Sequence, residues 1–118
     1  MEKKKCFEIV ASRPKPGKEA EYNQWYDQHV KDVFKYKGMK KVTRTHCFYP
    51  LEPRGNYKHK GDCPQYLTIY EYDSKEDLLD FFKELFKGTF DGPKKGNDEV
   101  LFDLDWAAGY ESGVTLER

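Results

Sequence analysis

Apolar and polar residues alternate in four short segments of the chain, and these segments predict four β-strands. The segments span residues 5–12, 41–49, 65–72 and 100–110. They are rich in β-branched and aromatic residues, and clusters of Pro, Gly, Asn and Asp lie between them. Successive side chains of a strand point to opposite faces of a sheet, so each strand offers two distinct faces.

Two further segments repeat their apolar residues every three or four positions, which predicts helices. The first spans residues 18–36, and Gly38 is expected to end it. The second begins after Ser74, whose hydroxyl is expected to cap it, and ends near Gly88. The inward faces are predicted to carry Tyr22, Trp25, Tyr26, Val30, Val33 and Phe34 in the first helix, and Leu78, Leu79, Phe81, Phe82, Leu85 and Phe86 in the second.

The predicted order of elements is β-α-β-β-α-β, which indicates an α+β protein of ferredoxin-like fold. Right-handed crossovers then place both helices on one face of a four-stranded antiparallel sheet. A chain of 118 residues supports one hydrophobic core, so we expect a single domain over residues 1–118. Residues 51–64 are predicted to form a long polar loop, and residues 91–97 a turn-rich connection.

The strands carry bulky side chains on both faces, although the helices can cover only one. In the third strand Leu67 and Ile69 alternate with Tyr66, Tyr70 and Tyr72; in the fourth Phe102, Leu104 and Trp106 alternate with Leu101 and Ala107. We therefore expect the second face to pack against another copy of the sheet, which gives a two-fold homodimer of the α+β barrel type.

Composition and charge exclude several classes of function. Lys and Arg together number 21, as do Asp and Glu, and this balance argues against a nucleic-acid-binding protein. No apolar run approaches the length of a membrane span and the first residues do not resemble a secretion signal, so we expect no membrane partner and a cytoplasmic location. Aromatic residues make up 16% of the chain, which predicts a folded protein despite a mean hydropathy of −0.98.

The three cysteines do not predict a disulfide scaffold or a zinc site, because their number is odd and no C-x-x-C pair occurs. Cys6 and Cys47 lie in predicted strands, where a free thiol behaves as a small apolar group. Cys63 lies in the polar loop without an evident group to lower its pKa. The histidines also lack a ligand spacing such as H-x-x-x-H, so we expect neither a metal nor a cofactor.

His29 is the main candidate for chemistry. It lies four residues after Trp25 and four before Val33, on the helix face that packs on the sheet. One interpretation is structural: a half-buried imidazole bonded to a backbone carbonyl or a strand carboxylate. The other is functional: a histidine that lines a cavity and moves a proton.

Charged residues in the strands are candidate partners of His29. Arg44 shares a face of the second strand with His46, and Glu71 lies among apolar residues of the third. A carboxylate there is costly to bury alone, so Glu71 is expected to meet His29, Arg44 or a backbone donor. Glu8, in the middle of the first strand, raises the same question. For each, the alternative is a rim position or an interfacial ion pair.

The first helix also contains a spaced set of residues that resembles a known family. The set is Trp25, Tyr26, His29, Asp32 and Val33, followed by Lys37 and Gly38 where the family has Pro-Gly or a similar turn. It is similar to small EthD-like members of the dimeric α+β barrel superfamily. The resemblance implies a dimer of face-packed sheets with a cavity between sheet and helices. It carries over Trp25, Tyr26, His29 and Asp32, where Asp32 either orients His29 or lies on a surface patch.

Relatives in that superfamily include cofactorless monooxygenases, polyketide-modifying enzymes and haem-binding proteins, so the resemblance leaves two hypotheses. The first is a cofactorless enzyme acting on a small aromatic or polyketide-like compound, with His29 as general acid or base. Its expected ligand contacts are Trp25, Tyr26, Arg44, Glu71 and Tyr110. The second is a non-catalytic dimer that binds a small organic ligand, or haem through His29.

Overall fold

The computed structural model describes residues 4–50, 63–88 and 100–118, and it has the predicted order of elements. The elements are β1 (Cys6–Pro14), α1 (Glu19–Val33), β2 (Met39–His46), β3 (Tyr66–Tyr72), α2 (Lys75–Phe86) and β4 (Phe102–Glu111). The predicted turn-rich connection at 91–97 and nearly all of the predicted loop at 51–64 lie outside the described residues.

The four strands form one antiparallel sheet in the order β2-β3-β1-β4. This order confirms the ferredoxin-like prediction, in which β1 and β3 are central and each helix crosses over the sheet. Both helices pack on the same face: Val33 of α1 and Phe81 of α2 join one buried cluster with Tyr70 and Tyr72 of β3. We call this the helix face, and the opposite one the outer face.

The core between helices and sheet is rich in tyrosine. Tyr22, Tyr26 and Tyr66 form a second buried cluster with Phe102 beside the first. A buried hydroxyl needs a hydrogen-bond partner. Tyr22 finds one in Ser12, whose Oγ lies 2.6 Å from the tyrosine Oη. The Tyr22 ring therefore adds buried apolar surface to the core, and its hydroxyl has a hydrogen-bond partner in Ser12.

A β-bulge changes which residues of β4 face the helices. Trp106 lies opposite Ala11 and Leu104 lies opposite Ser12, so Asp105 is an extra residue in the register. The prediction that Phe102, Leu104 and Trp106 share a face is therefore wrong. Phe102 and Leu104 lie on the helix face, and Trp106 lies on the outer face.

The predicted helix caps and inward faces are confirmed only in part. Ser74 caps α2 by accepting a hydrogen bond from the backbone N–H of Asp77, at 3.2 Å. Leu78 and Phe81 are buried as expected, but Leu79 and Phe86 are exposed. In α1, which ends at Val33 rather than near residue 36, Phe34 is exposed as well. Neighbouring residues differ by about 100° around a helix, so Val33 and Phe34 cannot both face the sheet.

The outer face keeps a band of apolar side chains that the described part of the chain covers incompletely. Phe7, Ile9, Leu67 and Ile69 are half-buried, and the Trp106 side chain is 38% exposed. Neither α1 nor α2 has the length and apolar character that a transmembrane helix requires.

Candidate active site

A cavity of about 200 Å³ lies between the two helices and the sheet. Its walls come from α1, α2, β1, β3 and β4. Most of its lining is aromatic or aliphatic: Val10, Trp25, Tyr26, Val33, Tyr70, Phe81, Phe82, Leu85, Phe102, Leu104 and Ala107. Glu8 and His29 complete the lining and bring a carboxyl group and an imidazole to an otherwise apolar space.

Glu8 reaches the cavity from the centre of β1. The alternation of the strand puts it on the helix face with Cys6 and Val10, and only 8% of the residue is exposed. Its Oε1 accepts a hydrogen bond from the Tyr72 hydroxyl at 3.3 Å. Burial raises the pKa of Glu8 to about 7, and the bond from Tyr72 opposes this only in part. Near neutral pH this carboxyl group can therefore both donate and accept a proton.

His29 reaches the cavity from the inward face of α1. The residue is buried, and its ring stacks on that of Trp25 with centroids 4.9 Å apart and planes within 7°. The ring of Tyr26 meets it edge-on at 5.8 Å. These contacts fix the orientation of the imidazole, which can accept or donate a proton through its two nitrogens.

Tyr26 completes the group of predicted residues that the structure brings together. It lines the cavity beside Trp25 and His29, and burial raises the pKa of its hydroxyl. The Tyr26 hydroxyl is therefore a hydrogen-bond donor throughout the neutral range.

Arg44 does not line this cavity but lies behind Tyr26. Its guanidinium carbon is 4.4 Å from the centroid of the Tyr26 ring, and the rings of Tyr22 and Tyr66 are also within cation–π distance. Its Nη1 donates to Asp27 at 2.9 Å and to Asn23 at 3.0 Å. In this position Arg44 fixes the tyrosine wall of the site rather than the space inside it.

Glu71 and Tyr110 lie on the outer face, away from the cavity. Glu71 forms an ion pair with Lys5, with 3.7 Å between Oε1 and Nζ. It therefore does not meet His29 or Arg44, and its contact corresponds to the alternative of a rim position. The reason is strand alternation: Glu71 points to the face opposite its neighbours Tyr70 and Tyr72. Tyr110 lies across from Phe7 of β1 and is half exposed.

Asp32 lies on the surface of α1. Its Oδ1 accepts a hydrogen bond from Gln28 Nε2 at 3.2 Å and lies 3.7 Å from Lys35 Nζ. These contacts correspond to the surface-patch alternative of the sequence analysis.

The sequence left Glu8 open between a partner of His29 and a rim position, and it did not assign the β4 residues Phe102, Leu104 and Ala107 to the site. For Glu8 the sequence did contain an indication, because residues 6, 8 and 10 of a strand point to the same face and Glu8 therefore lies with Cys6 and Val10. For β4 the bulge at Asp105 removed the simple alternation. Within the described ranges, no three His, Cys, Asp or Glu side chains are close enough to hold a metal ion.

Comparison with known proteins supports the fold. No family model matches the sequence, and no curated protein does so significantly. Among solved structures, the hydroxynitrile lyase from Passiflora edulis superposes with a TM-score of 0.68 at 13% identity, covering 98% of this chain and all of that one. PA3566 from Pseudomonas aeruginosa superposes with a TM-score of 0.58 at 11% identity, covering 98% of each chain. At these identities the likeness establishes a shared α+β ferredoxin-like fold.

Proposed function

We propose that the chain is a cofactorless enzyme that moves protons on a small aromatic or polyketide-like compound. The observation that carries the proposal is that Glu8 and His29 both line one largely apolar cavity. A carboxyl group with a pKa of about 7 is half ionised at the pH of most cells. Enzymes tune acids and bases toward the working pH in this way, because proton transfer is then efficient in both directions.

Removal of a proton next to a carbonyl group is the reaction that suits this arrangement. Ionised Glu8 is a stronger base than an exposed carboxylate, since burial disfavours its charge. His29, held by Trp25, can donate to the oxygen on which negative charge develops, or exchange roles with Glu8. The apolar walls lower the local polarity around Glu8 and His29, which strengthens both interactions.

The size of the cavity limits the ligand to about one ring with short substituents. An apolar cavity of about 150 Å³ binds benzene, and this one measures about 200 Å³. A neutral ligand is favoured because the lining offers little to stabilise a second charge. A porphyrin is much larger than this space, so a haem-binding role would require the cavity to widen.

The fold comparison is consistent with catalysis, since one of the structural neighbours is a hydroxynitrile lyase. We also propose that the chain is an EthD-like member of the dimeric α+β barrel superfamily. Support comes from Trp25, Tyr26 and His29, three residues of the family-like pattern, which line one cavity, whereas Asp32 of the same pattern lies on the surface. The incompletely covered outer face supports a homodimer, and the three free thiols suit the reducing cytoplasm.

Hydrogen–deuterium exchange tests the proposed chemistry even while the natural substrate and product are unidentified. Phenylacetone and related aryl ketones are incubated with the protein in D₂O, and loss of the signal of protons next to the carbonyl is followed by NMR. We expect exchange above the buffer rate, with a large loss in Glu8→Gln and in His29→Phe. Glu71→Gln, a carboxylate change on the outer face, is the matched control and should exchange like the wild type.

The alternative function is non-catalytic binding of a small ligand, which the extent of apolar lining favours. It predicts that an aryl ketone perturbs resonances of Trp25 and His29 without exchange above background. If every ketone that binds perturbs these resonances but shows no exchange above background, the enzymatic proposal is contradicted. Haem binding through His29 would give a Soret band when the protein is titrated with hemin, and this band would be lost in His29→Ala.

A further inference from the structure

Two of the three cysteines lie next to each other at one end of the β2–β3 pair. The Sγ atoms of Cys47 and Cys63 are 3.9 Å apart, although 16 positions separate the residues in the sequence. Both are free thiols and half-buried, whereas Cys6 is buried in the core. The proximity is independent of the proposed active site, which neither cysteine lines.

Backbone pairing brings the two thiols together. The last registered pair of β2 and β3 is His46 with Tyr66, and the N–H of Cys47 donates to the carbonyl of Gln65 at 2.8 Å. The antiparallel pairing therefore continues one residue beyond the strands. Cys63 lies two residues before Gln65, so it is the diagonal neighbour of Cys47. The hydrogen bond from Cys47 to Gln65 thus places both thiols at the end of the β2–β3 pair.

We propose that Cys47 and Cys63 form a reversible intramolecular disulfide when a small-molecule disulfide such as oxidised glutathione is present. One thiolate of the pair attacks a glutathione sulfur, and one glutathione thiolate leaves. The second thiolate then attacks the mixed disulfide and releases the other glutathione. The two cysteines lose two protons and two electrons, and one oxidised glutathione becomes two reduced molecules.

The local geometry permits this reaction. The sulfur atoms are in contact at 3.9 Å and must approach to about 2 Å for the bond to form. Both thiols line a groove of about 380 Å³ together with Leu67 and Trp106. The groove lies at the end of the β2–β3 pair, where both thiols lie beyond the last registered pair, and Ile69 at the centre of the proposed dimer interface does not line it, so a reagent has access from the rim. Burial and the neighbouring Cys47 raise the pKa of the Cys63 thiol, so oxidation is expected to accelerate as pH rises above neutrality.

The bond would tie together the two ends of residues 48–62. A cross-link across such a segment removes conformational freedom from the unfolded chain. We therefore expect the oxidised protein to have a higher Tm than the reduced protein, and dithiothreitol to reverse the difference. Trp106 lies in the same groove, so its fluorescence reports on the change.

The test treats the folded, reduced full chain with oxidised glutathione at mildly alkaline pH and follows free thiols and intact mass. We expect the wild type to fall from three thiols to one, with a mass loss of about 2 Da for two hydrogen atoms and no retained glutathione. Cys6→Ser, the matched control, should still form the disulfide. Cys47→Ser and Cys63→Ser should instead retain a glutathionyl group on the remaining partner.

Peptide mapping completes the test, because it must show Cys47 joined to Cys63 within one chain. The proposal is overturned if the wild type retains separate glutathionyl groups, if disulfides link different chains, or if all three thiols persist. Formation of the bond only after the protein is unfolded would also contradict it, since the folded sheet is what brings the two sulfurs together.

Discussion

The hydroxyl of Tyr72 lies 3.3 Å from Oε1 of Glu8, on the helix face of two neighbouring strands. At this length the hydrogen bond is weak, because bonds between a hydroxyl and a carboxylate usually measure about 2.5–2.7 Å. It therefore does not offset the cost of burying the charge, and the pKa of Glu8 is raised to about 7. Burial and Glu8 also raise the pKa of Tyr72, which keeps its proton as donor.

The first prediction concerns the pH dependence of stability. Glu8 has a pKa of about 7 in the folded protein against 4.5 for an ordinary glutamate. Well below pH 4.5 the Glu8 carboxyl group is protonated in both the folded and the unfolded protein, so it causes no loss of stability there. Between about pH 4.5 and about pH 7 the unfolded state holds fewer protons at this residue than the folded state, so stability falls over this range and then levels off. One pKa unit corresponds to about 1.4 kcal/mol, which gives a loss of about 3 kcal/mol above pH 8.

The comparison of wild type with Glu8→Gln isolates this effect, because glutamine keeps the shape but does not titrate. The free energy of unfolding is measured by urea denaturation between pH 4 and pH 9. The difference between the two proteins should shift by about 3 kcal/mol in favour of the variant as pH rises. A constant difference would show that Glu8 has an ordinary pKa and would remove the basis of its proposed role.

The sequence predicted the framework of the site well, because hydrophobic periodicity reflects burial directly. The period of α1 placed Trp25, Tyr26 and His29 toward the sheet, and the structure brings all three to one cavity. The order of elements was sufficient for the fold, since crossover handedness leaves few arrangements for β-α-β-β-α-β.

Features that depend on contacts between distant segments were not predictable in the same way. The bulge at Asp105 depends on how β4 pairs with β1, and Arg13 holds that residue by an ion pair with 3.0 Å between Nε and Oδ1. The long polar side chain of Arg44 was expected in the ligand site. In the fold it is covered by tyrosine rings from α1 and β3, because strand β2 lies at the edge of the sheet and not beneath the cavity.

The second prediction concerns the buried hydrogen bond between Ser12 and Tyr22. Both residues are fully buried and their oxygens are 2.6 Å apart. Tyr22→Phe keeps the ring but leaves the Ser12 hydroxyl without this partner, so we expect a loss of about 1 to 3 kcal/mol in unfolding free energy. The double variant with Ser12→Ala should lose less than the sum of the single changes. Additive losses in urea denaturation would show that the bond contributes no coupling.

The third prediction concerns Gly38, which lies where the turn after α1 meets the start of α2. A Cβ atom there would lie 2.6 Å from Cε2 of Tyr36 and 3.1 Å from Cβ of Asp77. The Tyr36 ring cannot move freely, because its hydroxyl donates to Asp80 at 2.7 Å. We expect Gly38→Ala to lower the unfolding free energy by about 1 to 3 kcal/mol through overpacking.

Gly113→Ala is the matched control, because a Cβ atom at Gly113 meets nothing within 4 Å and its φ is not positive. We expect its unfolding free energy to stay within about 0.5 kcal/mol of the wild type. Equal stability of the two variants would mean that the close approach at Gly38 relaxes without cost.

The last prediction tests the proposed homodimer through Ile69, at the centre of the outer face. Ile69 is half-buried and lies between Ile9 of β1 and Thr43 of β2 in the register. Ile69→Lys places like charges near each other across a two-fold interface, so we expect the dimer to dissociate while the helix face and its core persist. Leu79→Lys, a change on the exposed side of α2, should leave the dimer intact. Sedimentation velocity measures the association state and circular dichroism the fold; a monomeric wild type, or a folded Ile69→Lys dimer, would exclude this face as the interface.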